Sequence, residues 1–256
     1  MVTASERHSV IVTGASGGVG RGIALACGEA GWTVWIAARR AAEGERVAQE
    51  VTALGGQGRF VACDVADDAS VRDAIATVVA QEGRLDGAVH NATSDQSAAK
   101  HAPLAAYTMG EMRHQIAVSL RGSYLLARYA YPHLKHTGGA LLLLTSEAGF
   151  EGKARLPVYA GVKAAQRGFA RALAREWGPQ GMRVNCIAPL ATTPALVKAF
   201  AADETMKARV MGRNPQGRLG DPMEDIGRAA RFLLSRDSAY VNGHTLMVDG
   251  GSCPVT

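Results

Sequence analysis

Two tyrosine–lysine pairs in this chain have a spacing that suits proton transfer. Tyr159 and Lys163 lie in 158-VYAGVK-163, and Tyr131 and Lys135 form the second pair. On a helix, residues four apart share one face. A free phenol has a pKa of about 10, too high for easy proton exchange at neutral pH. A nearby ammonium favours the phenolate and can lower that value by roughly 1–3 units. A tyrosine tuned in this way gives a proton to a carbonyl oxygen under hydride attack and takes one when the alcohol is oxidised. A serine hydroxyl can hold that oxygen in place. Ser146 stands thirteen residues before Tyr159.

The contexts of the two pairs differ. Tyr131 precedes Pro132, and proline disfavours the helical conformation in the residue before it, which places that pair near a helix end. Tyr159 and Lys163 open a long helical pattern over 158–177, with Val162, Gln166, Phe169 and Leu173 as a stripe broken by one polar residue. The apolar run 140-ALLLLTS-146 reads as a strand ending at Ser146. A serine at a strand's carboxyl end can meet a tyrosine on the first turn of the next helix.

These residues need a scaffold. Strand-like runs occur at Ser9–Thr13, Thr33–Ala37, Arg59–Ala62, Gly87–His90, Ala140–Ser146, Arg183–Ala188 and Thr245–Val248. Several are nearly continuous in apolar residues, as expected for parallel strands covered on both faces. Helical stripes such as Val47, Val51, Leu54 and Val71, Ile75, Val78, Val79 fall between them. The alternation predicts an α/β fold, a doubly wound parallel sheet that binds ligands at the carboxyl ends of its strands. No linker or repeat divides the chain, which is read as one domain over 1–256. The least regular stretch, 189–222, contains the helical fragment 195-ALVKAF-200 and reads as a substrate-binding loop or lid.

The first strand runs into 13-TGASGGVG-20. Gly14, Gly18 and Gly20, with Ser16 and Val19 between and beside them, make a turn that lets a phosphate approach the main chain. The helix that follows offers free N–H groups to an anion. The second strand ends in 38-ARR-40. Ala38 stands where an NAD site would carry an acid for the ribose hydroxyls, while Arg39 and Arg40 suit a 2′-phosphate. The reading is NADP(H) over NAD(H).

Composition sets outer bounds. The 256 residues are 47% hydrophobic and 20% charged, with 30 glycines, an ordinary globular balance. Net charge is +5, but the basic residues are dispersed, so a nucleic-acid partner is not expected. No apolar run reaches the ~18 residues of a membrane span. The start, MVTASERHSV, has no signal-like apolar region. A soluble cytoplasmic protein is expected. The four cysteines lack metal-ligand spacing and read as reduced structural thiols, and no metal site is expected.

Taken together, TGxxxGxG, the Ser146-X12-Tyr159-X3-Lys163 set and the ending 245-TLMVDGGS-252 resemble the short-chain dehydrogenase/reductase family over about residues 7–252. The resemblance implies a Rossmann-type sheet of seven parallel strands with helices on both faces, in a homotetramer or homodimer. It implies Ser146, Tyr159 and Lys163 as catalytic residues, Lys163 also holding the nicotinamide ribose. Asp64 matches the family's adenine-binding aspartate, with Val65 beside it. Asn91 and Ala92 match the cofactor-binding part of its NNAG motif. Pro189 starts the nicotinamide-side loop, which includes Thr192. The four-residue spacing argues against the family's enoyl reductases, whose pair is wider. Tyr131 and Lys135 match no catalytic element.

Three departures stand out. NNAG appears as 90-HNAT-93, with His90 and Thr93 at its ends. The usual NLxG is 119-SLRG-122, so Ser119 replaces the asparagine that helps hold a relay water near the lysine. The loop after the sixth strand is 189-PLATTP-194, with Leu190 for the usual glycine, which puts the nicotinamide contacts of Ala191 and Thr192 in question. The expected activity is NADP(H)-dependent interconversion of a ketone or aldehyde and its alcohol. The alternatives are an NAD-dependent alcohol or diol dehydrogenase and an NADP-binding regulatory protein without catalysis. Leu196, Val197, Phe200, Met206 and Met211 in the lid, with Phe150 and Leu156 before Tyr159, suit an apolar-to-mixed substrate. Lys153 and Arg155 hint at an anionic one.

Overall fold

Successive side chains of a strand point to opposite faces, so a strand covered on both sides needs apolar residues at every position. β1 (Ser9–Thr13), β2 (Thr33–Ala38), β4 (Gly87–His90) and β5 (Ala140–Leu144) are buried along their whole length. β6 (Arg183–Pro189) is buried except at its ends, and the edge strands β3 (Gln57–Ala62) and β7 (Thr245–Val248) are part-buried. A computed structural model of the chain describes residues 7–94 and 100–253. Its seven strands form one parallel sheet in the order β3-β2-β1-β4-β5-β6-β7. The chain leaves β1 toward β2 and β3, then returns to β4 on the other side of β1. Ligands of open α/β sheets bind at that reversal, beyond the carboxyl ends of the strands.

Helices cover both faces. On one, α3 (Asp68–Glu82), α5 (Gly122–Thr137) and α7 (Pro157–Trp177) bury Ile75, Leu126 and Ala174 against Ile11, Leu141 and Leu143 of the sheet. On the other, α1 (Gly18–Glu29), α2 (Ala41–Ala53) and α10 (Arg228–Leu234) bury Ile23, Val51 and Leu233 against Val10, Val12 and Leu142. The split of Leu141 and Leu143 from Leu142 is the two-residue period of a strand made visible. α4 (Met109–Gln115) reaches α5 through a π-helical turn, Ile116–Arg121. The short α6 (Ala148–Glu151) follows β5. The irregular stretch carries α8 (Pro194–Ala202) and α9 (Glu204–Gly212). A second π-helical turn, Pro222–Gly227, leads into α10.

One sequence expectation is corrected and one refined. The fifth strand ends at Leu144, not Ser146. Thr145 still donates its N–H to Ile187 across the sheet at 2.8 Å, but the Ser146 carbonyl accepts from Gly149 and so belongs to the next turn. The Tyr131–Lys135 pair does fall near a helix end, with Lys135 in the last turn, but Pro132 sits inside the helix, which continues to Thr137 and stops at Gly138 in the left-handed region. Buried Ala130 and Leu134 hold the last turns on the core, and this packing outweighs the local clash. Tyr131 donates its hydroxyl to Gln180 at 2.6 Å and lies 5.1 Å from the Trp177 ring, a packing role.

α1 lies directly on the second π-helical turn. A Cβ on Gly22 would stand 2.0 Å from the Pro222 carbonyl oxygen. Alanine gains about 1 kcal/mol over glycine in helix propensity, but backbone cannot yield that space cheaply. Gly22→Ala is therefore expected to lower the melting temperature by several degrees. Gly168→Ala on α7, where a Cβ meets nothing within 4 Å, is expected to hold or raise it. Thermal unfolding followed by circular dichroism compares the two, and an unchanged Gly22→Ala would contradict the packing.

Candidate active site

Pro157 starts α7 at the position where its missing N–H costs nothing. This puts Tyr159 on the first turn and Lys163 one turn later. Thr145 donates its hydroxyl to the Lys163 carbonyl at 2.9 Å. A Cβ on Gly149 would lie 2.8 Å from the Lys163 and Ala164 main chain, so α6 can press against α7 only through glycine. That contact brings Ser146 close enough to Tyr159 to act on its phenol. Lys163 is 2% exposed, and its ammonium donates to the Leu144 carbonyl at 2.6 Å. It stands 5.6 Å from the Tyr159 ring centre. Ser146, Tyr159 and Lys163 thus meet at the carboxyl end of β5.

The electrostatics differ from the sequence expectation. Burial pushes the Tyr159 phenol up to about 12, against the pull of the Ser146 hydrogen bond, and the Glu147 carboxylate adds to the rise. Tyr159 keeps some accessible surface, yet the protein packed around it dominates. Burial also brings Lys163 down to about 8. The ammonium does not offset the phenol's burial, because its hydrogen bond goes to Leu144.

Ser119 lies in the first π-helical turn, a geometry often found at functional sites. Its hydroxyl accepts from Gln115 Nε2 at 3.0 Å and lies 3.2 Å from the Thr93 hydroxyl. Its carbonyl accepts from Gln166 Nε2 at 3.0 Å and from the Ser123 hydroxyl at 2.8 Å. Ser119 is therefore joined to α7 through Gln166, three residues beyond Lys163. Gln166 is the polar break in the helical stripe, which was its signal in the sequence. His90 is fully buried with Nδ1 3.4 Å from the Thr13 hydroxyl. Burial and the charge of Lys163 bring its pKa down to about 3, so the ring is neutral at ordinary pH. A Cβ on Gly122 would touch it at 2.8 Å.

The glycine turn fits a nicotinamide dinucleotide. Gly14 and Gly18 have φ values of 65° and 55°, in the region that favours glycine. A Cβ on Gly20 would lie 2.4 Å from Asn91 Nδ2, which donates to the Thr13 and Gly14 carbonyls at 3.1 Å. A Cβ on Gly14 would lie 2.9 Å from Ala92 Cα. β1 and β4 are thus laced together at the reversal. No side chain caps α1, and Gly17 faces open space, so its first N–H groups suit a phosphate. Val19 packs under this turn. At the end of β2, Arg40 donates to Ser16 at 3.1 Å and pairs with Glu43, and Arg39 is exposed. Asp64 follows β3, accepting from Ala66 N at 3.0 Å, and Val65 is buried beside Gly122. Pro189 ends β6 opposite Val248. Thr192 donates its N–H to Gly220 at 2.9 Å and has an exposed side chain. Thr193, not singled out in the sequence, caps α8 and lies 3.8 Å from the Cβ position of Gly18.

The mouth brings other residues that sequence reasoning passed over. Ser146 donates to Glu147 at 2.6 Å, and Glu147 is ion-paired with Lys153. Arg155 donates to the His101 carbonyl at 3.1 Å. The two cations that hinted at an anionic substrate therefore already hold protein acceptors. Among the α8 side chains, Phe200 is buried and Val197 is 52% exposed. Arg213 pairs with Glu151 and ties the end of α9 to α6. All four cysteines are free and buried. Among the described residues, no helix is long and apolar enough to cross a membrane.

The lysine generates a pH-dependent stability. Below pH 8 it is protonated in both states, and burying its charge costs the folded state the full amount. Between about 8 and 10.5 the folded form sheds a proton that the unfolded form keeps, so stability rises with pH. The total is on the order of 3 kcal/mol, offset in Lys163→Met by about 1 kcal/mol for the orphaned Leu144 carbonyl. Lys163→Met is expected to melt higher than the parent at pH 7, with the gap closing toward pH 10. A gap independent of pH would contradict the burial.

Comparison with known proteins agrees with this geometry. The family model described as enoyl-(acyl carrier protein) reductase matches residues 14–253. A 2-dehydro-3-deoxy-D-gluconate 5-dehydrogenase of Pseudoalteromonas atlantica is 35% identical, over 96% of each chain. A short-chain type dehydrogenase/reductase from Mycobacterium ulcerans superposes with a TM-score of 0.90 at 27% identity, covering 96% of this chain and 90% of that one. The 3-ketoacyl-(acyl-carrier-protein) reductase of Brucella melitensis, complexed with NADH, superposes with a TM-score of 0.84 at 29% identity, covering 96% and 98%. With a seven-stranded parallel sheet, a glycine turn at its reversal and a match over nearly its whole length, the chain belongs to the short-chain dehydrogenase/reductase family of oxidoreductases.

Proposed function

We propose that the protein interconverts a ketone or aldehyde and its alcohol with NADP(H). The observation that carries this reading is the meeting of Ser146, Tyr159 and Lys163 at the end of β5, beside the cradle at the end of β1. The bound nicotinamide supplies or accepts the hydride. Ser146 orients the substrate oxygen, and Tyr159 protonates it in reduction or takes its proton in oxidation. Lys163 holds the nicotinamide ribose and favours the phenolate once its ammonium turns from Leu144 toward the phenol. Ser119, held by Gln115 and Thr93, supports the relay that resupplies the proton.

Gly14, Gly18, Val19 and Gly20 hold the pyrophosphate. Ser16, Arg39 and Arg40 receive the 2′-phosphate, and this basic pair at the end of β2 supports NADP(H) over NAD(H). Asp64 and Val65 flank the adenine. Asn91 and Ala92 support the ribose, and Pro189 and Thr192 border the nicotinamide. The lid over 189–222 covers an apolar-to-mixed substrate. The setting is the cytoplasm and the assembly a homotetramer or homodimer. The family description and its enoyl reductases raise reduction of a C=C bond as a second reading; the four-residue spacing of Tyr159 and Lys163, with Ser146 beside Tyr159, favours the carbonyl.

Tyr159→Phe is expected to cut turnover by roughly 10²–10⁴-fold, the usual worth of a positioned acid–base group, while cofactor binding persists. Oxidation of NADPH on a ketone and aldehyde panel, with cofactor titration alongside, reads both, and full activity in the variant would sink the assignment. Arg39→Asp is expected to move the NADPH-to-NADH ratio of kcat/KM toward NADH by about tenfold or more, ~1.4 kcal/mol. An unmoved ratio would place the 2′-phosphate elsewhere.

A further inference from the structure

We propose that Glu147 makes the enzyme selective for a hydroxyl on the carbon next to the reacting one: an α-hydroxy ketone in reduction, a vicinal diol in oxidation. The inference rests on the hydride-transfer reading above and names its substrate class. Glu147 sits at the start of α6, and Ser146 donates to its Oε2 at 2.6 Å. Its Oε1 receives the Lys153 ammonium. Its side chain is 20% exposed, so it borders both the site and the solvent. Burial works to raise its carboxyl, but Lys153 and Ser146 outweigh that and hold it below the usual range, so it is charged at neutral pH.

A hydroxyl has one proton to give. While Ser146 donates to Glu147, it cannot donate to a substrate carbonyl. Binding the substrate requires an exchange: Ser146 turns its proton to the substrate oxygen, and Oε2 loses its donor. A plain ketone offers no replacement and leaves the part-buried carboxylate oxygen with one donor fewer. A neighbouring hydroxyl offers one, because the two oxygens of an α-hydroxy ketone sit a hydrogen-bond length apart, as Ser146 Oγ and Glu147 Oε2 do. A carboxylate at the same place, as in an α-keto acid, meets a like charge. Sites built to hydrogen-bond a substrate hydroxyl reject analogues without it strongly.

The test uses the full chain with NADPH or NADH and three matched compounds: 2-butanone, 3-hydroxy-2-butanone and 2-oxobutanoate. The expected kcat/KM is highest for the hydroxy ketone. In Glu147→Ala the ratio of hydroxy ketone to ketone is expected to fall at least tenfold, and the keto acid to gain on both. Glu147→Gln, which keeps the shape and removes the charge, reads the same ratio should the alanine variant fail to fold. A parent without preference for the hydroxy ketone, or a ratio unmoved in both variants, would overturn the proposal. If none of the three turns over, the hydride-transfer reading is in trouble, and calorimetry decides the inference on its own. Protein supplied with NADP is then titrated with 2,3-butanediol and 2-butanol. Tighter binding of the diol, lost in Glu147→Gln, supports the inference, and equal binding overturns it.

Discussion

The site is organised around one unfavourable act, the burial of an ammonium. Lys163 is 2% exposed and charged below about pH 8. Such a group is tolerated only where acceptors and packing compensate. The Leu144 carbonyl, at the end of β5, is the acceptor. Thr145 fixes the lysine's own carbonyl, and Gly149 lets α6 lie flat against its backbone. The same three contacts determine where Ser146 falls relative to Tyr159. The placement of Ser146 and Tyr159 and the lysine's accommodation are therefore one arrangement.

The opposite wall follows from backbone proximity. Asn91 donates to two carbonyls of β1, and Gly14 and Gly20 are glycine because a side chain at either would strike Asn91 or Ala92. Thr13 adds a hydroxyl that accepts from Asn91 N at 3.1 Å and Ala92 N at 3.3 Å. His90 takes the first place of this segment as a neutral ring against Thr13, and Gly122 is small where the ring passes. The cradle is held by strands rather than by a flexible loop, and α1 points its uncapped end into it. An uncapped helix start held this rigidly presents a fixed set of N–H donors of the kind that suits an anion.

Much of this was legible in the sequence, for identifiable reasons. Parallel strands buried on both faces leave continuous apolar runs, so β1, β4 and the body of β5 fall where those runs are. The helix from 157 to 177 and the Tyr159–Lys163 face follow from helical periodicity. What escaped depends on distances between segments. Pro132 sits inside a helix because Leu134 packs on the core, which no local rule registers. Gln166 could be seen as a polar break but not as the partner of Ser119. Glu147 was adjacent to Ser146 in the chain, yet adjacency does not say that its carboxylate folds back onto the serine hydroxyl. The direction of the phenol's pKa was missed because burial, not the neighbour, is its largest cause.

Strain helps to place the remaining wall. Arg155 is the one described residue other than glycine with a positive φ, 65°. That conformation costs of order 1–3 kcal/mol and persists only where its surroundings impose it. Here they do: the Arg155 carbonyl accepts from Ala102 N at 2.8 Å, and its guanidinium donates to His101 at 3.1 Å. The segment 152–156 is thereby tied to 101–102 just before α7 begins, and Lys153 is presented to Glu147. Without that cation, Glu147 would stand uncompensated beside the phenol and raise it further. The carboxylate in the site thus has its own lysine, while the ammonium of Lys163 is spent on Leu144. The strained turn is what keeps the second lysine at the mouth rather than in solvent.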